Sequence, residues 1–173
     1  MRNHAYAAVA RNQVAWPEYA VAMIAGARYV HTNLVARDWR ALADFYTRLF
    51  GCEFVPPERY DSGPALEAGT GVQDAHMTGV HLRLPGHGEQ GPTLEIYSYS
   101  PSEPGQAPAV NRPGYGHVAF EVTSVEDARR QVLAAGGRPV GDIVTLERAG
   151  GRRVTWCYVT DPEGNIVELQ SWA

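Results

Sequence analysis

Two histidines and two glutamates carry the chemistry legible in this chain. They are His31 in His31-Thr32-Asn33-Leu34-Val35, His117 in Gly116-His117-Val118-Ala119-Phe120-Glu121-Val122, Glu95 in Thr93-Leu94-Glu95-Ile96-Tyr97, and Glu168 in Ile166-Val167-Glu168-Leu169-Gln170. Each stands in an otherwise apolar stretch, where a carboxylate is costly unless paired, hydrogen-bonded or bound to metal. Two imidazoles and two carboxylates without a thiolate suit Zn²⁺, Ni²⁺, Co²⁺, Mn²⁺ or Fe²⁺, and the two glutamates neutralise a divalent ion. A lone strand histidine is ordinarily a hydrogen-bonded core or surface residue. Four positions related by an internal repeat are not independent, and their joint pattern favours a metal centre.

The repeat appears when the chain is slid so that His117 lands on His31. Phe120 then falls on Leu34, Leu133 on Thr47 and Gly137 on Gly51, while the two glutamate strands match each other. The unit is a His-bearing strand, a helix ending at glycine, further strands and a Glu-bearing strand, used twice. If the two units pack about a pseudo-twofold, equivalent positions converge and His31, Glu95, His117 and Glu168 form one cluster.

The elements that must hold these residues follow from local pattern. Tyr29 to Val35 reads as a strand, and Asp38 caps a helix whose Trp39, Leu42, Phe45, Tyr46 and Leu49 recur at helical spacing before Gly51 ends it. Cys52 to Val55 is a short strand broken by Pro56-Pro57. Residues 58–75 form a long loop with one helical turn at Ala65 to Ala68, and a loop of that length is commonly functional. Met77 to Leu84 and Leu94 to Tyr99 are strands around a turn. His81 shares a face with Met77 and Arg83 and is a candidate acid or base. His76 falls on the opposite face or just before the strand, and His87 in a Gly-rich turn. Tyr97, Tyr99 and Tyr115 are candidates to line a pocket.

Pro101, Pro104, Pro108 and Pro113 mark a linker. Beyond it, His117 to Val122 is a strand, and Ser124 with Asp127 makes a capping box for a helix that buries Val125, Ala128, Val132 and Leu133. Strands at Ile143 to Glu147, Val154 to Thr160 and Ile166 to Gln170 complete the chain, the last two joined by the turn Asp161-Pro162-Glu163-Gly164-Asn165. The division is an N-terminal extension at 1–27, a first module at 28–104, a linker at 105–112 and a second module at 113–173. In the extension, Tyr19, Ala20, Met23 and Ile24 line one face of a short helix after Pro17.

With 173 residues and 45% hydrophobic content, the chain can bury one core or two halves that share one. A net charge of −4 without a basic face argues against nucleic acid and anionic membrane and for a small-molecule partner. Cys52 and Cys157 lie far apart in no metal-type spacing and do not suggest secretion. The N-terminal apolar patches are cut by Arg11, Pro17 and Glu18, too short for a membrane span, and the expected compartment is the cytoplasm.

Taken together, Tyr29-Val30-His31, Asp44-Phe45-Tyr46, Leu49-Phe50-Gly51, Leu94-Glu95-Ile96, Gly116-His117-Val118-Ala119-Phe120-Glu121-Val122 and Asp161-Pro162-Glu163-Gly164-Asn165-Ile166-Val167-Glu168-Leu169 resemble the vicinal oxygen chelate superfamily. That family includes glyoxalase I, methylmalonyl-CoA epimerase, extradiol dioxygenases and the bleomycin and fosfomycin resistance proteins. The resemblance implies an α+β fold, paired βαβββ modules forming an open eight-stranded barrel-like sheet around a metal, or modules exchanged across a homodimer. It puts His31, Glu95, His117 and Glu168 at the ligand positions of the glyoxalase-like members, with two coordination sites left for water or substrate oxygens. It implies a divalent ion, Zn, Ni or Co ahead of Mn or Fe, and an isomerase or lyase that removes a proton beside a carbonyl. Glu168 is then the base, with Glu95 and His81 as further catalytic candidates. An acidic residue at Glu95 departs from the ring-cleaving Fe(II) dioxygenases, and a complete ligand set departs from metal-free ligand-sequestering proteins. Those are the alternatives. After Glu95 the chain reads Ile96-Tyr97-Ser98-Tyr99-Ser100, unlike glyoxalase I, and no basic cluster suited to glutathione is evident.

Overall fold

Alternation and capping shape the first half of the chain, in a computed structural model that describes residues 24–173. The expected helix after Pro17 lies outside the described residues except for Ile24, which is exposed. Strand β1 (His31–Val35) leads to helix α1 (Trp39–Phe50), where Asp38 Oδ1 accepts from the backbone N–H groups of Arg40 and Ala41. Gly51 ends the helix in the left-handed region at φ 68°, which glycine enters without a Cβ clash. The apolar stripe Trp39, Leu42, Phe45 and Tyr46 is buried.

Strand β2 (Glu53–Ser62), helix α2 (Pro64–Thr70), strand β3 (His76–Arg83) and strand β4 (Thr93–Ser100) complete a sheet of order β1-β4-β3-β2. Here the structure corrects two expectations. Pro56-Pro57 does not break β2, because the register shifts between Val55 and Arg59 and the prolines occupy that irregularity, where no ladder N–H is needed. The long loop expected at 58–75 is the rest of β2 followed by α2, of which only a single turn was expected.

The second half repeats the plan. Strand β5 (Val118–Glu121), helix α3 (Val125–Ala134), and strands β6 (Arg138–Pro139), β7 (Val144–Glu147), β8 (Arg153–Thr160) and β9 (Ile166–Trp172) give the order β5-β9-β8-β6, with β7 also on β8. Each half pairs its first and last strands in parallel, β1 with β4 and β5 with β9, the other pairings being antiparallel. Only one half of the capping box forms at α3. Ser124 accepts from Asp127 N, but the Asp127 carboxylate turns to Arg130 at 2.7 Å.

The α+β class expected from the sequence holds. The sheets have four and five strands, because two strands, β6 and β7, pair with β8, and neither sheet closes into a barrel. One core serves both halves. Val80, Leu82, Leu94 and Ile96 cluster with α1, and Cys157, Val159, Val167 and Leu169 with α3. Phe50 stacks on Phe120 at 4.1 Å, and the buried Tyr46 hydroxyl donates to Asp161 Oδ2 at 3.0 Å. Glu163 accepts from the backbone N–H groups of Arg37 and Asp38 at 3.1 Å and holds the Arg37 guanidinium at 2.7 Å. The tight turn at 161–165 thus anchors the start of α1. No helix among the described residues is long and apolar enough to cross a membrane.

Candidate functional site

Strand parity decides which side chains face away from the core. In the first sheet Leu94 and Ile96 turn inward, so Glu95 and Tyr97 take the other face, joined by His31 from β1 and His81 from β3. Glu95 stands opposite Asn33 on one side and His81 on the other, which places His31 diagonally across from it. His31 Nδ1 lies 3.1 Å and His81 Nε2 3.0 Å from the same oxygen, Glu95 Oε1. The Glu95 side chain is only 12% exposed, so both histidines meet a largely desolvated carboxylate.

Tyr97 completes this group, its hydroxyl 2.7 Å from His81 Nε2. Burial, with Glu95 adding, pushes the Tyr97 phenol up to about 12, so it keeps its proton at neutral pH. Burial also lowers the His81 imidazole, helped by Arg59 and His31 and opposed by Glu95. One ring nitrogen cannot accept from Tyr97 and donate to Glu95 at once. The partner of His81 therefore depends on where its ring proton sits: without a proton Nε2 accepts a hydrogen bond from the Tyr97 hydroxyl, and with one it donates to Glu95.

The second sheet builds a simpler version. Val167 and Leu169 face the core, so Glu168 turns out, and His117, just before β5, brings Nε2 to 2.9 Å from Glu168 Oε2. Tyr158 stands opposite Glu168 in the ladder, and its ring lies 5.0 Å from the His117 ring. Burial, then the Glu168 charge, raises the Tyr158 phenol. Trp156 packs edge-on against Tyr158 at 4.9 Å. Between the halves, a cavity of about 550 Å³ is lined by Thr32, Leu94, His117, Val118 and Phe120 among others.

The structure thus brings His31, His81 and Glu95 together, and His117 and Glu168 together. No ion pair among the described residues joins the two groups, and no three His, Cys, Asp or Glu side chains there are placed to hold one ion. In type and spacing the pairs still suit a divalent metal. Donors bound at ~2.1 Å and at right angles to each other stand roughly 3.0 Å apart, the separation each His–Glu pair presents. A four-donor set requires the two faces to meet.

Of the other candidates, His76 opens β3 on the face opposite His81 and is exposed, as is His87 in its turn. Tyr99 shares the Glu95 face, while Tyr115 projects fully into solvent. Sequence reasoning missed Tyr158 and Trp156. Their alternation within β8 was visible, but only the β8–β9 register sets Tyr158 against Glu168.

The model of the Glyoxalase/Bleomycin resistance protein/Dioxygenase superfamily matches residues 28–169. The solved structure of a glyoxalase family protein from Bacillus cereus superposes with a TM-score of 0.67 at 18% identity, covering 88% of this chain and 97% of that one. A glyoxylase/bleomycin resistance protein/dioxygenase domain from Frankia sp. gives 0.52 at 18% identity, over 85% and 98%. A member of the same superfamily from Sphaerobacter thermophilus gives 0.52 at 20%, over 84% and 97%. At these identities the likeness speaks to the fold alone. No curated protein matches the chain.

Proposed function

The chain belongs to the Glyoxalase/Bleomycin resistance protein/Dioxygenase superfamily, and from that premise we propose that it is a divalent-metal-dependent isomerase or lyase that moves a proton beside a carbonyl. The observation that carries this reading is the repeated His–Glu pair, one on the outward face of each half, with both carboxylates mostly buried and both imidazoles open to a ligand. His31, Glu95, His117 and Glu168 would hold the ion. When bound, it supplies Lewis-acid stabilisation of the negative charge that develops on the substrate carbonyl oxygen.

The chain's own residues handle the proton. Glu168 takes it from the carbon beside the carbonyl, the C–H electron pair moves toward the carbonyl oxygen, and the proton is returned to the neighbouring carbon or from the other face. Glu95 is the second carboxylate for that return, and His81, between Glu95 and Tyr97, passes protons to and from it.

The reading includes a homodimer in which a second copy covers the open faces and brings a first-half pair against a second-half pair. Exposed apolar side chains on those faces, Val35 in the first sheet and Val144 and Leu146 in the second, support such a cover. Light scattering at micromolar concentration checks this part, and a monodisperse monomer removes the dimer without touching the rest.

Elemental analysis of the purified protein tests the chemistry. Zn, Ni or Co, together with solvent-deuterium incorporation beside the carbonyl in a panel of small ketones and acyl compounds, is the expected result. Iron with oxygen uptake would replace this reading with ring cleavage, and a metal-free protein that binds but never turns over ligands would replace it with sequestration. Glu168→Gln should keep most of the metal and lose about 10²- to 10⁴-fold in turnover, as removal of a general base does.

A further inference from the structure

We propose that the outward face of the second sheet is a recognition strip for an elongated, planar aromatic anion, with the anionic end at Arg148 and Arg152 and the other end at His117 and Glu168. That the latter is the reacting end rests on the function proposed above. The strip itself rests on ladder register. Three successive rungs of β8 and β9 share this face: Tyr158 with Glu168, Trp156 with Gln170, and Val154 with Trp172. Strand β7 adds Val144 beside Trp156 and Leu146 beside Val154. From the first rung to the third is four residues, ~13 Å at the rise of an antiparallel strand.

The surface along those rungs is π-rich. Trp156 and Tyr158 meet edge to face, and Trp172 closes the far end, where Arg152 lies over its ring at 4.5 Å. A recess of about 150 Å³ is formed there by Arg148, Val154, Trp156, Tyr158, Glu168, Gln170 and Trp172. Charge is laid out along the strip. The acidic group is at the His117 end, and two exposed guanidiniums without an ion-pair partner among the described residues are at the other. Glu147 and Arg153 pair in register and alternate to the opposite side, so neither neutralises Arg148 on this face.

The equivalent face of the first sheet is unlike this one. Beside Glu95 it carries Glu53, Arg59, Asp61 and Arg83, with Arg83 and Glu53 bonded at 3.0 Å. Such a face is the more polar of the two and partly self-satisfied, and its Tyr97 is already engaged with His81 by its hydroxyl and by an edge contact. Recognition of a ring system therefore falls to the second half. Aromatic faces hold planar π-systems by offset or edge contacts that a saturated ring of the same bulk does not reproduce, and a guanidinium binds a carboxylate in bidentate fashion.

Isothermal titration calorimetry of the full chain tests this with three probes: biphenyl-4-carboxylate, the saturated bicyclohexyl-4-carboxylate and the neutral biphenyl-4-methanol. Biphenyl-4-carboxylate should bind at least tenfold more tightly than either of the others. Arg148→Gln, an exposed change that leaves the fold alone, should remove most of the advantage over the neutral probe. Trp156→Leu should weaken the aromatic acid at least tenfold, and Trp156→Phe should keep it within about threefold. Equal affinity for all three probes, no binding up to millimolar concentration, or an unaltered Arg148→Gln variant would overturn the proposal. Titrations with and without EDTA separate it from the enzymatic reading. Binding that survives chelation in a protein without turnover upholds the strip and sinks only the catalytic proposal, while metal binding and turnover without the aromatic preference sink only the strip.

Discussion

Replacing Tyr46 with Phe removes one oxygen from the contact that ties the two halves together. Tyr46 and Asp161 are both fully buried, and the hydroxyl donates to Asp161 Oδ2 at 3.0 Å. A hydrogen bond to a charged group contributes roughly 1.5–3 kcal/mol net, and that is the expected loss. The ring itself stays packed between Phe45 and Phe50, and Asp161 keeps its bonds from the Asn165 backbone and side chain at 2.9 and 2.8 Å. Asp161→Ala strips the acceptor from all of these donors at once and should cost about 3 kcal/mol or more. Urea denaturation of both single variants and the double variant gives the coupling directly, expected at about 1.5 kcal/mol or above. A loss under about 0.5 kcal/mol for Tyr46→Phe, or additive effects in the double variant, would refute the reasoning.

The same contact sets a pH dependence. Burial raises the Asp161 carboxyl above its ordinary value of 3.8, against the lowering effect of its bonds from Asn165, Tyr46 and the Gly164 backbone. A carboxyl raised in the folded state holds its proton more tightly than in the unfolded chain. Its contribution is therefore complete below 3.8 and is lost as pH rises through the folded value. Asp161→Asn cannot ionise, so its stability should decline less than that of the parent over that window. Tyr46→Phe removes a bond that favours the charged form and should extend the decline to higher pH.

Gly79 lies opposite Tyr97, and a Cβ there would sit 2.1 Å from the Ile96 carbonyl oxygen and 2.4 Å from Tyr97 Cδ1. Gly79→Ala should cost about 3 kcal/mol by urea denaturation, at the upper end of overpacking, and a cost under about 1 kcal/mol would show that β3 and β4 separate easily. Burial pushes the Cys52 thiol up to about 12 and raises Cys157 as well, so a disulfide reagent at pH 8 should label neither until the protein is unfolded. Labelling of the native protein at a free-thiol rate would contradict that burial. His31→Ala and His117→Ala should each reduce bound metal to well below one equivalent, as read by elemental analysis, because each removes a neutral donor beside a carboxylate.

Local pattern alone determined much of this molecule. Helical spacing from Trp39 to Leu49, the Asp38 cap and Gly51 define α1, and the apolar stretches around Glu95 and Glu168 single out both carboxylates. These features depend on residues a few positions apart, which is why sequence displays them. Tertiary structure decided the rest. The prolines of β2 lie inside a strand only because β3 supplies a partner across a register shift. His31 reaches Glu95 diagonally, His81 shares the same oxygen, and Tyr158 faces Glu168, all set by ladder registers between distant segments. Periodicity tells which side of a strand a residue takes, but a register is chosen by the summed packing of whole faces. For that reason the four His and Glu residues were legible one at a time and were expected in a single cluster, whereas their arrangement as two groups, and the bond from Tyr46 to Asp161 across the core, came only with the folded structure.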